Sequence, residues 1–186
     1  IWSHRKVRRF ADLKLHTKIM LIGTTLLIVL GVIIFLGVEW ANPKTLGPLP
    51  MWDKVMAAIF QSVTPRTAGI ATVDYGQLHP ITLFVSIILM FIGAGPNSTG
   101  GGVKISTVMV AILASCTLFN NRSDVEVFGR RISMVTVLKA NGIIFLSILL
   151  VLLATCYLAW DEPFDFIRLL FEVTSAFGTV GLTTGI

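Results

Sequence analysis

Charge is what this chain has least of. Aspartate, glutamate, lysine and arginine make up 13% of its 186 residues, about half the share usual in a soluble domain. Hydrophobic residues make up 54%, and mean hydropathy is +0.83. A soluble domain of this length could not keep a polar surface with so few charges, so the class is integral membrane. Cysteine is almost absent as well. Cys116 and Cys156 both fall in apolar stretches and are expected as buried thiols, with no support for a disulfide. The three histidines, His4, His16 and His79, are scattered without metal-ligand spacing. No Ser/His/Asp or Cys/His arrangement points to catalysis, so the chain does not read as an enzyme.

The charges that remain are sorted along the chain. The net charge is +5, with Arg5, Lys6, Arg8, Arg9, Lys14 and Lys18 ahead of the first long apolar run. Arg122, Arg130, Arg131 and Lys139 lie between the later runs, and Asp161, Glu162 and Asp165 flank the far end of the last. Under the positive-inside rule both basic clusters are cytoplasmic, and the acidic end is external. The excess therefore reports topology and lipid head groups, not nucleic acid.

Ile19 to Val38 gives 20 residues without a charge, enough to cross a hydrocarbon core about 30 Å thick. It is too long for a signal peptide, and no small-residue cleavage site follows. Glu39 and Trp40 are expected at the membrane interface. Ala140 to Trp160 is a second uncharged run of spanning length. Each run ends in Trp-x-x-Pro, at Trp40–Pro43 and Trp160–Pro163. Each is followed by a segment too short to span, Met51 to Val63 and Phe164 to Ala176, which reads as a re-entrant helix. Pro65 breaks the first of these.

After each short segment comes a Thr-x-Gly-apolar string. The first is Thr67, Ala68, Gly69, Ile70; the second is Thr179, Val180, Gly181, Leu182. One such string could be an ordinary helix cap with glycine in its turn. Their duplication, on the external side of both units, points to an ion selectivity filter. Thr179-Val180-Gly181 matches the start of the Thr-Val-Gly-Tyr-Gly sequence that holds dehydrated potassium by carbonyl rings. The only metal expected is K+ at these carbonyls. Irregular backbone at membrane depth must line a cavity or be covered by protein.

Between the two strings, Leu78 to Phe119 is apolar for longer than one span needs. As one helix it would reach roughly 60 Å. Gly93, Gly95, Pro96, Asn97, Ser98, Thr99, Gly100, Gly101 and Gly102 break it into two half-spans, because five glycines and a proline cannot hold a helix. Nucleotide-binding patterns fail here: Val103 separates Gly102 from Lys104, and Ser98 stands where a third dinucleotide glycine belongs. Two readings stay open for the loop, a passive hinge and a gate. Its polar residues at membrane depth favour the gate. Arg66 and Lys104 either snorkel or pair with an acid, Asp74 being one choice for Arg66, or set a cation barrier. Glu172 is expected to bond to backbone near the second string.

Three stretches in this order, Gln61 to Gly69, Phe91 to Lys104 and Ser175 to Leu182, closely resemble the Trk/Ktr/HKT superfamily of potassium transporters. They are most similar to the membrane subunit of bacterial Ktr systems. The resemblance implies an all-α integral membrane fold of repeated M1–pore helix–M2 units around a central pore, of potassium-channel-like architecture. By it the chain is a fragment of a larger protein. Residues 1–17 form a cytoplasmic linker from a preceding unit, and residues 18–119 a third unit with a broken M2 (gate loop 93–104). Residues 120–139 make a cytoplasmic connection, and residues 140–186 hold the fourth unit without its final M2. Filter roles pass to the two strings, and a gate role to the loop from Gly93 to Lys104. Gly95-Pro96-Asn97 stands where the family often has Ser-Pro-Gly, and Ile70 where Phe is common.

The resemblance further implies potassium uptake across the cell membrane, here a bacterial inner membrane. It implies a homodimer of the full-length protein, a cytosolic ring of nucleotide-binding regulatory subunits, no bound cofactor, and Na+ as a coupling ion for some members. The alternatives are a sodium-permeable relative and a non-conducting membrane scaffold or sensor.

Overall fold

The computed structural model describes residues 13–95, 100–119, 126–127 and 130–186. The basic segment from Arg5 to Arg9, residues Pro96, Asn97, Ser98 and Thr99, and Arg122 lie outside them.

Two helices are long and apolar enough to cross a membrane. They are α1, Leu15–Glu39, and α5, Met134–Asp161. Between them run α2, Met51–Val63, α3, Pro80–Phe91, and α4, Ile105–Phe119; α6, Phe166–Phe177, follows α5. At 1.5 Å per residue α2 and α6 reach only about 20 Å, short of a bilayer's hydrocarbon thickness. Local chemistry sets their boundaries. Pro50 and Pro163 precede α2 and α6, and Pro80 opens α3 at its first turn, where its missing N–H costs nothing. The side chain of Ser133 caps α5 by accepting from the Thr136 amide.

The long apolar stretch is broken as expected, into α3 and α4. The break is closed at its base by a two-residue parallel ladder. Strand β1, Ile92–Gly93, pairs with β2, Val103–Lys104, in the register Ile92 to Val103 and Gly93 to Lys104. Backbone groups freed by the end of α3 are thus satisfied at once, which lipid surroundings demand. A second pair, β3 (Glu126–Val127) with β4 (Arg130–Arg131), is antiparallel and lies between α4 and α5.

The main core unites both short helices, α2 and α6. Phe35 of α1, Ala58 of α2, Tyr75 and Leu78 of the connecting turn, Leu83, Ile87 and Met90 of α3, and Phe171 of α6 form one buried cluster with Val180 and Leu182. Tyr75 and Phe171 lie with ring centroids 5.2 Å apart. Close approach of α1 to α2 depends on Gly31, since a Cβ there would lie 2.2 Å from Ser62 Oγ. That hydroxyl donates to the Ile28 carbonyl of α1.

Outward faces are apolar, as lipid requires. Leu138, Phe145, Leu146, Leu153 and Trp160 of α5 are all exposed. Cys116 and Cys156 belong to these outer faces and are exposed, which corrects the expectation of buried thiols. An apolar run in a membrane helix does not distinguish the face turned to lipid from the face turned to protein.

Glu39 is fully buried within the protein, which its place beside Trp40 at the end of a span does not announce. Its carboxylate accepts from Asn42 Nδ2 and Thr45 Oγ1 at 2.6 Å each, from Thr82 Oγ1 at 2.6 Å and from the His79 amide at 2.9 Å. One side chain thereby fastens the end of α1 to the loop that follows it and to the start of α3. Replacing Glu39 with Ala in the full-length protein should destabilise it by about 2–4 kcal/mol, because four donors lose a charged acceptor. Glu39→Gln, which keeps part of the bonding, should cost less. Thermal unfolding in detergent measures both, and equal stability of Glu39→Ala and wild type would contradict this role.

Candidate functional site

The two Thr-x-Gly-apolar strings follow the C-termini of α2 and α6, and their backbones share one unusual conformation. Thr67 has φ +74° and Thr179 φ +53°, the only non-glycine residues with positive φ among those described. Gly69 follows at +69° and Gly181 at +89°, while Ala68 and Val180 between them are not in that region. A β-branched residue at positive φ is an outlier, and such strain concentrates where surroundings enforce it for function. The alternation has a geometric consequence. In an ordinary strand successive carbonyls point to opposite sides, and reversing the backbone hand at every second residue turns them toward the same side.

Short bonds from the preceding helix hold each string. In the first, the Ala68 and Gly69 amides donate to the Thr64 carbonyl at 3.1 and 3.3 Å. The Thr64 hydroxyl donates to the Ile70 carbonyl at 2.6 Å and accepts from the Ile70 amide at 3.1 Å. In the second, the Val180 amide donates to the Ser175 carbonyl at 2.9 Å, and the Ser175 hydroxyl donates to the Leu182 carbonyl at 2.6 Å. The helices thus correspond at an offset of 111 residues and the strings at 112, because Ala176-Phe177-Gly178 occupies the place of Pro65-Arg66.

That register pairs Gln61 with Glu172, and the two do the same thing. Glu172 Oε1 accepts from the Thr184 amide at 2.7 Å and from the Thr183 and Thr184 hydroxyls at 2.9 Å each. With its oxygen turned to the donors around it, the Gln61 amide accepts from the Thr72 amide at 3.0 Å, its hydroxyl at 2.9 Å and the Val73 amide at 3.1 Å, and donates to the Tyr75 hydroxyl at 2.7 Å. The bond of Glu172 to nearby backbone is as expected. Gln61, Thr64, Thr72, Ser175 and Thr184 were not singled out in the sequence. Aligning Gln61–Thr64 with Glu172–Ser175 would have found them.

The strings meet each other and the glycine loop. A Cβ on Gly69 would lie 2.1 Å from the Val180 carbonyl oxygen, so two backbones touch there. On Gly100 it would lie 2.6 Å from Thr67 Cγ2, and on Gly101 2.7 Å from the Phe177 carbonyl oxygen. The Gly101 amide donates to Thr179 Oγ1 at 2.7 Å. The structure therefore brings Gly100 against the first string and Gly101 against the second, while Gly93, Gly102 and Lys104 contact the loop itself and the end of α3. Lys104 Nζ donates to the Gly100 carbonyl within the loop. Arg66 does not pair with Asp74. Asp74 accepts instead from the Gly76 amide at 2.8 Å, and the buried Arg66 Nε has no acceptor among the described residues.

The described residues are mostly helical, with two helices of membrane-spanning length and an interrupted apolar stretch between them, which is the make-up of an all-α membrane transporter fold. The chain belongs to the TrkH family of cation transport proteins, which matches residues 1–186. It is 42% identical over its whole length to the Ktr system potassium uptake protein B of Vibrio alginolyticus, of which it covers 41%. It is 39% identical over 181 residues to the protein of the same name from Bacillus subtilis (strain 168), covering 97% of this chain and 41% of that one. The potassium/sodium uptake protein NtpJ of Enterococcus hirae is 36% identical over 192 residues, with all of this chain and 41% of the relative covered. The chain thus spans about two fifths of the length of these relatives.

The contact between loop and second string can be probed directly. Thr179→Val keeps the side chain's shape and removes the acceptor for the Gly101 amide. The loss is about 1 kcal/mol, so hydrogen exchange in the segment around Gly101 should quicken several-fold in the full-length protein. Unaltered exchange would mean that this bond does not hold the loop.

Proposed function

We propose that Thr67–Ile70 and Thr179–Leu182 are two segments of a carbonyl selectivity filter, and that the full-length protein takes up potassium through it. The observation that carries this reading is the alternating backbone of both strings, with Thr67, Gly69, Thr179 and Gly181 at positive φ. Carbonyls turned to one side replace the hydration shell of a cation, and their number and field decide which cation passes. The names of the Vibrio and Bacillus relatives support potassium as the ion. The name of the Enterococcus relative, potassium/sodium uptake, favours sodium as a second permeant or coupling ion.

In this reading the chain supplies the third M1–pore helix–M2 unit and most of the fourth, in a multi-pass protein of the cell membrane. The loop from Gly93 to Lys104 is the gate. Its pinned base at β1 and β2 and the contacts of Gly100 and Gly101 with both strings support an obstruction just beyond the filter. Gly95, Pro96, Asn97, Ser98 and Thr99 complete the loop. The Lys104 bond to Gly100 favours the obstructing arrangement. A homodimer and a cytosolic ring of nucleotide-binding regulatory subunits complete the proposal; the designation of the relatives as parts of a Ktr system supports a multi-component assembly.

Competition between potassium and sodium uptake in an uptake-deficient cell tests the filter. Gly181→Ser meets open space among the described residues but strains a backbone at φ +89°, a cost of about 1–3 kcal/mol. Gly69→Ser adds a collision with the Val180 carbonyl. Both should lower the preference for potassium, Gly181→Ser by about tenfold, which corresponds to 1.4 kcal/mol, and Gly69→Ser by more. Unchanged selectivity in both variants overturns the filter.

The gate has its own test. Deleting Asn97 to Gly101 should raise potassium flux and loosen dependence on the cytosolic partner while selectivity holds. A correctly inserted deletion variant with wild-type or lower flux would make the loop a hinge.

A further inference from the structure

We propose that Glu172 is a positioning residue that sets the selectivity of the second string, with Gln61 as its counterpart for the first. This rests on the filter reading and adds residues that lie outside the strings. The Thr179–Leu182 string has two ends. Its start is fixed by the turn off α6, through bonds from the Thr179 and Val180 amides to Ala176 and Ser175. Its far end continues into Thr183 and Thr184, which no regular element holds. Without an anchor there, the strained conformation at Thr179 and Gly181 could relax by letting the return segment slide.

Glu172 is that anchor. It stands one turn before Ser175 on α6, and one carboxylate oxygen gathers three donors from two consecutive residues. Thr184 is buried and Thr183 exposed, so the carboxylate fixes which side of the return segment faces the protein. Glu172 also lines a recess of ≈ 470 Å³ with Ser175 and the string residues Thr179, Val180, Gly181 and Leu182. A charged acceptor suits three donors better than a neutral one, since charge-assisted hydrogen bonds are roughly twice as strong.

The repetition argues that this is a device and not a coincidence of packing. At the equivalent position Gln61 also collects three donors from two consecutive residues, Thr72 and Val73. The acceptor is retained while the charge is not, so the shared requirement is an oxygen aimed at the return segment. The Tyr75 hydroxyl, held by the Gln61 nitrogen, locks the amide in that orientation. Tyr75 itself is buried against Phe171 of α6, so the two anchors share one wall of the core.

The experiment compares Glu172→Ala, Glu172→Gln, Thr184→Val and Gly181→Ser in the full-length protein, with uptake normalised to the amount at the cell surface. Potassium-over-sodium preference should fall about tenfold in Glu172→Ala and a few-fold in Thr184→Val. Glu172→Gln, which recreates the arrangement at Gln61, should stay within about threefold of wild type. Rescue by the amide is what a merely structural loss would not give. Should Glu172→Ala fail to reach the membrane, Thr184→Val carries the test, because it removes one donor from the same cluster.

A selectivity change in Gly181→Ser with wild-type selectivity in Glu172→Ala, or in Thr184→Val where that stands in, would overturn the anchor and leave the filter standing. Glu172→Gln as damaging as Glu172→Ala would overturn it too, since an acceptor would then not suffice. No change in any of the four overturns the filter, and the anchor with it.

Discussion

A backbone that leaves its helix inside a bilayer must find partners for every N–H and C=O it exposes, and the rest of this structure is arranged around that demand. In hydrocarbon each unsatisfied group costs several kcal/mol. Three segments leave short apolar helices in this way: the strings after α2 and α6, and the loop between α3 and α4. Each is met by a local device. Thr64 and Ser175 hold the strings by their hydroxyls, and the β1–β2 ladder closes the loop at its base. Among the described residues, the carbonyls of Thr67, Ala68 and Gly69 and of Thr179, Val180 and Gly181 take no hydrogen bond from these devices.

Strain and anchoring are two sides of that arrangement. Threonine at positive φ costs of order 1–3 kcal/mol at each of Thr67 and Thr179, and a single net hydrogen bond contributes only about 1 kcal/mol. One tether could not hold such a turn. The second string has several, namely its amides on Ser175 and Ala176, the Ser175 hydroxyl on Leu182 and the Glu172 carboxylate on Thr183 and Thr184. It also drives alternate side chains, Val180, Leu182 and Thr184, into the protein. Apolar burial of Val180 and Leu182 in the main core adds what the polar tethers alone would not supply.

How much of this was legible in the sequence depends on whether a feature is local. Spans and half-spans were readable, because the length of an uncharged run against a bilayer's thickness is a one-dimensional comparison. Met51 to Val63 came out with its expected limits for that reason, and the break expected at Gly93 to Gly102 falls between α3, which ends at Phe91, and α4, which starts at Ile105. Glu39 was not readable. Its position beside Trp40 at the end of a span suggests an interfacial acid, yet its donors His79 and Thr82 lie 40 and 43 residues away. The cysteines misled because apolar context in a membrane protein does not mark the inside. Arg66 and Asp74 are close in sequence, but Asp74 has a nearer use in capping its own turn. Within the site, the strings announced themselves by repetition, whereas the residues that brace them vary in type. Glutamine answers glutamate and threonine answers serine, so identity hides what hydrogen-bonding capacity preserves.

The two strings differ in one further respect. In the second string Val180, Leu182 and Thr184 are buried by elements of this same chain. In the first, Ala68 and Ile70 are exposed, Ile70 by 63%. The core that receives Val180 and Leu182 is built from α1, α2 and α3 together with α6, so the second string leans on the unit before it. No described element covers the first string in this way. A substitution in that core, such as at Phe35 or Met90, would therefore reach the second string from elements that precede it by about 90 residues or more.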